Sequence, residues 1–205
     1  MSERTETPKL SDQFSKALVY AEQKHRNQVR KGGDIPYVGH LLSVASLVIN
    51  DGGSEEQAIA ALLHDTVEDQ GGPATLAEIR ANFGDDVARI VEQCSDTDEE
   101  PKPPWLERKR RYIDHLSDVG GDTLLVSVAD KLDNARSMLR DYHTHGPSLW
   151  ERFNRKNPHD HLWYYEGLLE AYRKRGLDSW MVDELGRVVS ELKRLVEGGD
   201  RTVVV

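Results

Sequence analysis

Apolar residues recur along most of this chain at intervals of three and four positions, the spacing that places side chains on one face of an α-helix. The first such stripe ends before the pair Gly32-Gly33 and consists of Phe14, Ala17, Leu18 and Ala21. The second follows Pro36, stops at Asp51-Gly52-Gly53 and consists of Leu41, Val44, Ala45 and Val48. Each stripe predicts a helix with one buried face.

Capping residues mark the beginning of a third predicted helix. Ser54 and Gln57 have the spacing of a capping box, in which each side chain bonds to the backbone amide of the other residue. From there the apolar pattern predicts one helix through about Asp69, closed by Gly71-Gly72-Pro73.

The rest of the chain continues the helical pattern with one interruption. Thr75 and Glu78 have the spacing of a second capping box and predict a short helix that ends near Gly84. Residues 95–104, SDTDEEPKPP, are acidic and rich in proline, which predicts a loop or mobile lid. Further helices are predicted at residues 85–94, 105–116, 123–142, a short piece near Trp150, 159–174 and 179–196.

No alternating apolar and polar segments occur between these helices, so the pattern predicts an all-α protein, a single-domain bundle of about eight to ten helices. We expect the domain to cover residues 10–200, with the C-terminal helices of residues 159–196 packed on the core. Residues 1–9 and 201–205 are expected to be loose.

The composition is that of an ordinary globular protein. The 205 residues suffice for one domain with a sizeable core, and 38% of them are hydrophobic and 31% charged. No apolar run is long enough for a transmembrane helix, and the start MSERTETPKL is unlike a signal peptide, so we expect a cytoplasmic protein without a membrane partner. The single cysteine, Cys94, excludes an internal disulfide and a multi-cysteine metal site, and is expected to be buried and inert.

The formal net charge of −9 argues against a nucleic-acid polymer as partner, because such a partner requires a broad basic face. A small anionic ligand is compatible with this net charge, since local basic groups or a metal ion can hold a phosphate on an acidic protein. The sequence leaves open whether the subunits form a homo-oligomer.

The segment ALLHDTVED carries the candidate chemistry. It passes from small apolar residues into His64, Asp65, Glu68 and Asp69. On a continuous helix, residues four apart share a face, so His64 would lie below Glu68 and Asp65 below Asp69. Imidazole and carboxylate groups together suit Mn, Fe, Zn or Co.

Two further helices offer similar groups beside an apolar stripe. His40 begins the second helix, and Asp130 lies in TLLVSVADKLDNARSML, with Asn134 one turn further on. An aspartate in such an apolar segment is costly to bury unless it is paired or bound to a metal. Each residue alone is more simply a hydrogen-bonded core group, but the combination of these residues predicts a metal site.

Three segments, KHRNQVRKGGDIPYVGH, AALLHDTVED and VADKLDNAR, resemble the HD-domain metal-dependent phosphohydrolases. More narrowly, they are similar to the hydrolase domain of RelA/SpoT-type alarmone enzymes and to the small alarmone hydrolases. The resemblance covers about Ala17 to Arg140. It implies an HD-type helical bundle that removes the 3′-pyrophosphate of (p)ppGpp, giving GDP or GTP and pyrophosphate.

The resemblance also implies residue roles. One manganese ion would be held by His40, His64, Asp65 and Asp130. The attacking water would be positioned and deprotonated by Glu68 and Asp69. The nucleotide would be contacted by Arg30, Lys31, Asn134 and Arg136.

The chain departs from the family pattern at Leu41, where proline is usual, and at Asp133, where an aromatic residue or histidine is usual. Neither position is a metal ligand, but Asp133 adds a negative charge near the expected pocket and opens the question of which nucleotide is bound. The length leaves no room for a synthetase domain, so we expect a hydrolase only.

Two alternatives stay open at this point. One is an HD phosphohydrolase that acts on another nucleotide, and the other is a nucleotide sensor without catalytic activity. The sensor is disfavoured because a protein without activity would be expected to lack a ligand or a catalytic carboxylate, and all six expected residues are present. A phosphodiesterase for cyclic dinucleotides is disfavoured because its GYP signature is missing.

Other conspicuous features have simpler explanations. The histidine pairs His143/His145 and His159/His161 lie next to glycine or proline and are expected in loops, with surface or capping roles. The four basic residues at 108–111 would radiate from a helix and form a solvated face. The aromatic and leucine residues at 163–169 are expected in the core or at a subunit contact.

Overall fold

The computed structural model describes residues 9–96 and 101–199, and most of them are α-helical. The helices are α1 (Asp12–His25), α2 (Val38–Asn50), α3 (Glu55–Leu63), α4 (Thr66–Asp69), α5 (Gly72–Phe83), α6 (Asp85–Cys94), α7 (Trp105–His115), α8 (Gly121–His145), α9 (Pro158–Lys174) and α10 (Trp180–Gly199). A 3-10 helix, Gly146–Arg152, joins α8 to α9. Apart from one isolated bridge between Val29 and Pro36, these two ranges contain no β-structure, which confirms the predicted all-α class.

The helix α8 organises the bundle. It is 25 residues long and packs against α2, α3, α6, α9 and α10. Its apolar stripe is buried and includes Leu124, Val128, Leu132 and Ala135. Burial of each leucine or valine side chain of this stripe contributes roughly 1.5–3 kcal/mol, so the packing of α8 stabilises the fold.

Several predicted elements agree closely with the structure. The stripe on α2 is fully in the core, and α6 has the predicted limits. The capping box at the start of α3 forms: the amide of Gln57 donates to Ser54 Oγ and the amide of Ser54 donates to Gln57 Oε1. Cys94 is buried, as expected.

The third helix differs from its prediction. It ends at Leu63, and a separate short helix, α4, begins at Thr66, so the expected continuous helix through Asp69 is wrong. His64 and Asp65 form the junction between the two helices. On a regular helix two adjacent side chains diverge by about 100°, and the junction instead lets both side chains point to one place.

The fourth helix begins earlier than predicted, at Gly72, with Pro73 in its first turn. The hydroxyl of Thr75 donates to the carbonyl oxygen of Gln70 at 2.7 Å and therefore does not cap the helix. Gly71 precedes it with φ of 122°, and a Cβ there would lie 2.6 Å from Thr75 Oγ1. Glycine is thus required at this turn.

The structure describes only part of the proline-rich segment and of the two chain ends. Within residues 95–104, the described residues 95, 96 and 101–104 are non-helical, as expected, while 97–100 lie outside the described residues. Of the segments expected to be loose, residues 1–9 and 201–205, all but residue 9 lie outside the described part of the chain, and the domain limits stay a prediction. None of the described helices is both long enough and apolar enough to cross a membrane.

Candidate metal centre

Four side chains from different parts of the bundle meet beside the middle of α8. His40 lies in the first turn of α2, Asp130 lies on α8, and His64 and Asp65 occupy the junction between α3 and α4. The two imidazoles are fully buried, and the side chain of Asp130 is 8% exposed. The structure therefore brings together the four residues that the resemblance implies as ligands.

The Nε2 atoms of both imidazoles face the two carboxylates. His40 Nε2 lies 3.2 Å from Asp130 Oδ1 and 3.5 Å from Asp65 Oδ2. His64 Nε2 lies 3.1 Å from Asp65 Oδ2 and 3.6 Å from Asp130 Oδ1. Ligand atoms of His40, His64 and Asp65 all lie within 4.8 Å of one another, close enough to share one cation.

Hydrogen bonds on the far side of each ring determine which nitrogen faces the cluster. Nδ1 of His64 lies 2.8 Å from the carbonyl oxygen of Ala61, and Nδ1 of His40 lies 2.6 Å from Asp133 Oδ2. Since both partners are acceptors, each Nδ1 carries a hydrogen and donates it. Both Nε2 atoms are buried without a hydrogen-bond partner. A cation would satisfy them, so these residues fit a divalent metal ion.

The two carboxylates control the charge of this cluster. Burial lowers the pKa of His40, but the carboxylates of Asp130, Asp133 and Asp65 outweigh burial and raise it to about 9. Burial also lowers the pKa of His64, but the nearby carboxylates of Asp65 and Asp130 outweigh burial and raise this pKa well above its ordinary value. Burial raises the pKa of the two aspartates, but the imidazoles and the lysine beside Asp130 hold both pKa values well below the usual range. In the absence of a cation, the two carboxylates therefore favour protonation of the imidazoles.

Neighbouring side chains fix the orientation of the carboxylates. Tyr37 donates its hydroxyl hydrogen to Asp65 Oδ2 at 2.5 Å. Lys131 donates to Asp130 Oδ2 at 2.6 Å, and Asn134 donates to Asp130 Oδ1 at 2.5 Å. Asp130 is thus held through both oxygens, which reduces the freedom of the carboxylate to turn away from the imidazoles.

The two expected catalytic carboxylates follow on α4. Glu68 Oε1 lies 3.0 Å from Lys102 Nζ, and Glu68 Oε2 accepts from the backbone amide of Asp96 at 3.4 Å. Asp69 Oδ2 accepts from Gln28 Nε2 at 2.7 Å. Burial, followed by the charge of Asp65, raises the pKa of Asp69. A carboxylate with a raised pKa is a stronger base once it is ionised.

The expected nucleotide-binding residues have different positions. Arg30 Nη2 lies 3.9 Å from Asp133 Oδ2, so this arginine reaches the edge of the cluster. Lys31 is exposed just after it. Asn134 bonds to Asp130 and belongs to the cluster itself. Arg136 instead pairs with Glu184 at 2.9 Å and lies over Trp180, so the contacts of Arg136 are with α10 and not with the cluster.

Sequence reasoning missed four residues that support the centre: Gln28, Tyr37, Lys131 and Asp133. The sequence predicts only an added negative charge at Asp133, whereas the structure places its carboxylate between His40 and Arg30, which offset that charge. Tyr37 and Asp133 lie three residues from an expected ligand, a helical spacing that could have identified them. No sequence signal singles out Gln28 or Lys131, whose side chain is only 13% exposed.

The expectation for the histidine pairs was wrong about their location. His143 and His145 lie in the last turn of α8, and His159 and His161 lie in the first turn of α9. His161 is buried among aromatic rings and donates from Nε2 to the carbonyl oxygen of Arg155 at 2.6 Å. The aromatic rings around His161 give it apolar surroundings, and its role is structural.

The basic run on α7 is not a uniformly solvated face. Arg108 and Lys109 both pair with the carboxylate of Asp96, and their side chains are only 15% and 16% exposed. Lys109 also lies 5.0 Å from the centre of the Tyr164 ring. The pair therefore anchors the segment that follows α6 to α7, a role that depends on contacts distant in sequence.

A profile of the family described as HD domain matches residues 17–157 of this chain. Among curated proteins, the guanosine-3′,5′-bis(diphosphate) 3′-pyrophosphohydrolase MESH1 of Xenopus tropicalis is 42% identical over 127 residues. These residues make up 60% of this chain and 68% of the relative.

Two solved structures are also similar to this chain. One, described as a metazoan ortholog of SpoT that hydrolyzes ppGpp, is 30% identical, with a TM-score of 0.58 and coverage of 83% of this chain and 99% of that one. The other, the protein lmo0812 from Listeria monocytogenes, is 32% identical, with a TM-score of 0.66 and coverage of 78% and 99%.

Proposed function

Because this chain belongs to the HD domain family, we propose that it is a metal-dependent hydrolase that removes the 3′-pyrophosphate of (p)ppGpp. The products are GDP or GTP and pyrophosphate. The family membership confirms the resemblance stated above, and the MESH1 relative carries the name of this activity. We further propose that the enzyme works in the cytoplasm and uses Mn²⁺.

One observation carries the proposal: two buried imidazoles present unpartnered Nε2 atoms to two carboxylates, beside a second pair of carboxylates on α4. The residues that would hold the cation are His40, His64, Asp65 and Asp130. When bound, a divalent cation lowers the pKa of water from about 15.7 towards 7 and stabilises charge on a phosphate oxygen.

The carboxylates of α4 handle the water in this proposal. Asp69 accepts its proton, and the raised pKa of Asp69 brings its basicity closer to that needed at neutral pH. Glu68, held by Lys102 and by the backbone amide of Asp96, orients the water. The water oxygen bonds to the phosphorus that carries the 3′-oxygen, the bond from phosphorus to the 3′-oxygen breaks, and the 3′-oxygen takes up the proton that Asp69 accepted from the water.

Positive charge near the cluster binds the substrate. Arg30 lies at the edge of the cluster, where its guanidinium can donate two hydrogen bonds to a phosphate in a bidentate arrangement. Lys31 adds a second cation next to it in sequence. These groups offset the negative charge of the substrate on a protein whose own net charge is −9.

The deciding experiment incubates the Mn²⁺-loaded protein with ppGpp, ppApp and GTP and analyses the products by anion-exchange chromatography. We expect GDP and pyrophosphate from ppGpp, and no attack on GTP. Orthophosphate from GTP would identify a phosphohydrolase of broader specificity. Binding of ppGpp without turnover would identify a sensor, and either result would overturn the proposal.

A further inference from the structure

The imidazole of His40 is held between two carboxylates of α8. Asp130 Oδ1 lies 3.2 Å from its Nε2, and Asp133 Oδ2 lies 2.6 Å from its Nδ1. The two aspartates are three positions apart, so they project from the same face of the helix. The ring can therefore neither rotate nor shift without breaking a contact to α8.

The second histidine has a different support. His64 donates from Nδ1 to the backbone carbonyl of Ala61, a neutral acceptor supplied by its own segment. His40 donates to a charged acceptor, and a hydrogen bond to an ionised group is roughly twice as strong as one between neutral groups. A carboxylate behind an imidazole also makes Nε2 a more basic metal ligand.

The same carboxylate faces the expected substrate site. Arg30 Nη2 lies 3.9 Å from Asp133 Oδ2, the oxygen that accepts from His40. The side chains of Arg30 and Asp133 are 20% and 21% exposed, while that of His40 is fully buried. Asp133 thus lies between the buried imidazole of His40 and the guanidinium of Arg30.

We propose that Asp133 is a positioning residue that holds His40 in the orientation required for metal binding. The inference rests on the proposed function in treating His40 as a metal ligand. Loss of a carboxylate in this position typically weakens metal affinity by about 10- to 100-fold. Asp133 is not itself a proposed ligand, so its loss leaves all four proposed ligands in the chain. We therefore expect the loss to weaken metal affinity and not to slow the chemical step.

The test measures Mn²⁺ binding to the full chain by isothermal titration calorimetry in the absence of nucleotide. D133A removes the acceptor, and we expect affinity to fall by about 100-fold, towards the upper end of that range. D133N keeps an acceptor oxygen without the charge, and we expect a loss of about tenfold. D141A is the matched control, an aspartate of α8 that pairs with Arg140 and Arg152, and its affinity should equal that of the parent.

A second readout separates positioning from a general loss of structure. Pyrophosphate release by D133A should recover as Mn²⁺ is raised to saturation, while thermal melting of the metal-free variant verifies that it is folded. If D133A is unfolded at the assay temperature, D133N decides the question. Affinity within about twofold of the parent in the folded variants would overturn the inference and leave the proposed function intact. If the parent protein binds no Mn²⁺, both the inference about Asp133 and the proposed function are overturned.

Discussion

The side-chain amide of Gln28 donates to Asp69 Oδ2 at 2.7 Å, across 41 positions of sequence. Gln28 precedes the short segment that carries Arg30, so one connection between α1 and α2 contacts both the candidate base and the substrate site. A donor at this position stabilises the ionised form of Asp69 and opposes the effect of burial on its pKa.

Gln28→Ala should therefore shift the acid limb of the pH–rate profile to higher pH. Loss of the amide raises the pKa of Asp69 further, so a larger fraction of the base is protonated at low pH. The measurement is kcat/KM for pyrophosphate release across the pH range, with a greater loss expected at about pH 6 than at about pH 9. Gln70→Ala is the matched control, because Gln70 donates to Gln28 Oε1 and not to Asp69. A uniform loss at every pH would contradict the assignment of Asp69 as the base.

Combined replacement of Glu68 and Asp69 by their amides should separate chemistry from metal binding. The double variant retains the four proposed ligands but lacks a group that can accept the proton, so kcat should fall by about 10²- to 10⁴-fold. Mn²⁺ affinity, measured by calorimetry, should stay close to that of the parent. Glu78→Gln serves as control, since Glu78 is half exposed and pairs with Lys24. Unimpaired turnover in the double variant would contradict the mechanism.

Mn²⁺ affinity should rise with pH. In the metal-free protein the carboxylates raise the pKa of His40 to about 9 and that of His64 well above its ordinary value. A cation must displace these protons, so the apparent binding constant should increase by up to about tenfold per pH unit for each histidine below these pKa values. Calorimetry in buffers of different ionisation enthalpy counts the protons released. An affinity that does not change between about pH 6 and 8 would show that the two imidazoles are not protonated in the metal-free protein.

The sequence predicts the bundle well where local signals and packing agree. The stripes of α2 and α8 combine helical spacing with large aliphatic residues, and both are in the core. The four proposed ligands were identifiable because imidazoles and carboxylates beside such stripes are costly to bury without a partner. Their meeting in space follows from the packing of α2 and α3 against α8.

The features that sequence reasoning missed depend on tertiary contacts. The residues at the junction of α3 and α4 are not helix-breaking types, so no local signal in the sequence indicates that the helix ends at Leu63. Lysine is rarely buried, yet Lys131 lies 4.6 Å from the centre of the Tyr112 ring and pairs with Asp130. Such placements are decided by side chains far away in sequence, which periodicity cannot detect.

Arg30 and Arg136 should differ in their effect on substrate binding. Arg30→Gln removes a cation at the edge of the cluster, and the loss of a charge-assisted contact worth roughly 1.5–3 kcal/mol should raise KM by about 10- to 100-fold. Arg136→Gln removes a partly exposed pair with Glu184, so KM should change by less than about twofold. The measurement is steady-state kinetics with ppGpp. A larger effect at Arg136 would restore the role that the resemblance implied for it.

His161 should make the stability of the fold depend on pH. Burial lowers the pKa of His161, although the hydrogen bond to the carbonyl oxygen of Arg155 opposes the effect. The unfolded chain, with an ordinary pKa of about 6.5, therefore binds this proton more readily than the folded chain, and stability falls as the pH drops below that value. In the metal-free protein, urea unfolding of the parent and of His161→Phe should give a difference in unfolding free energy that shrinks on acidification, by at most about 1.4 kcal/mol per pH unit. The other histidines are common to both proteins and cancel in this difference. A difference that stays constant from about pH 8 to 5 would show that His161 is not held neutral in the core.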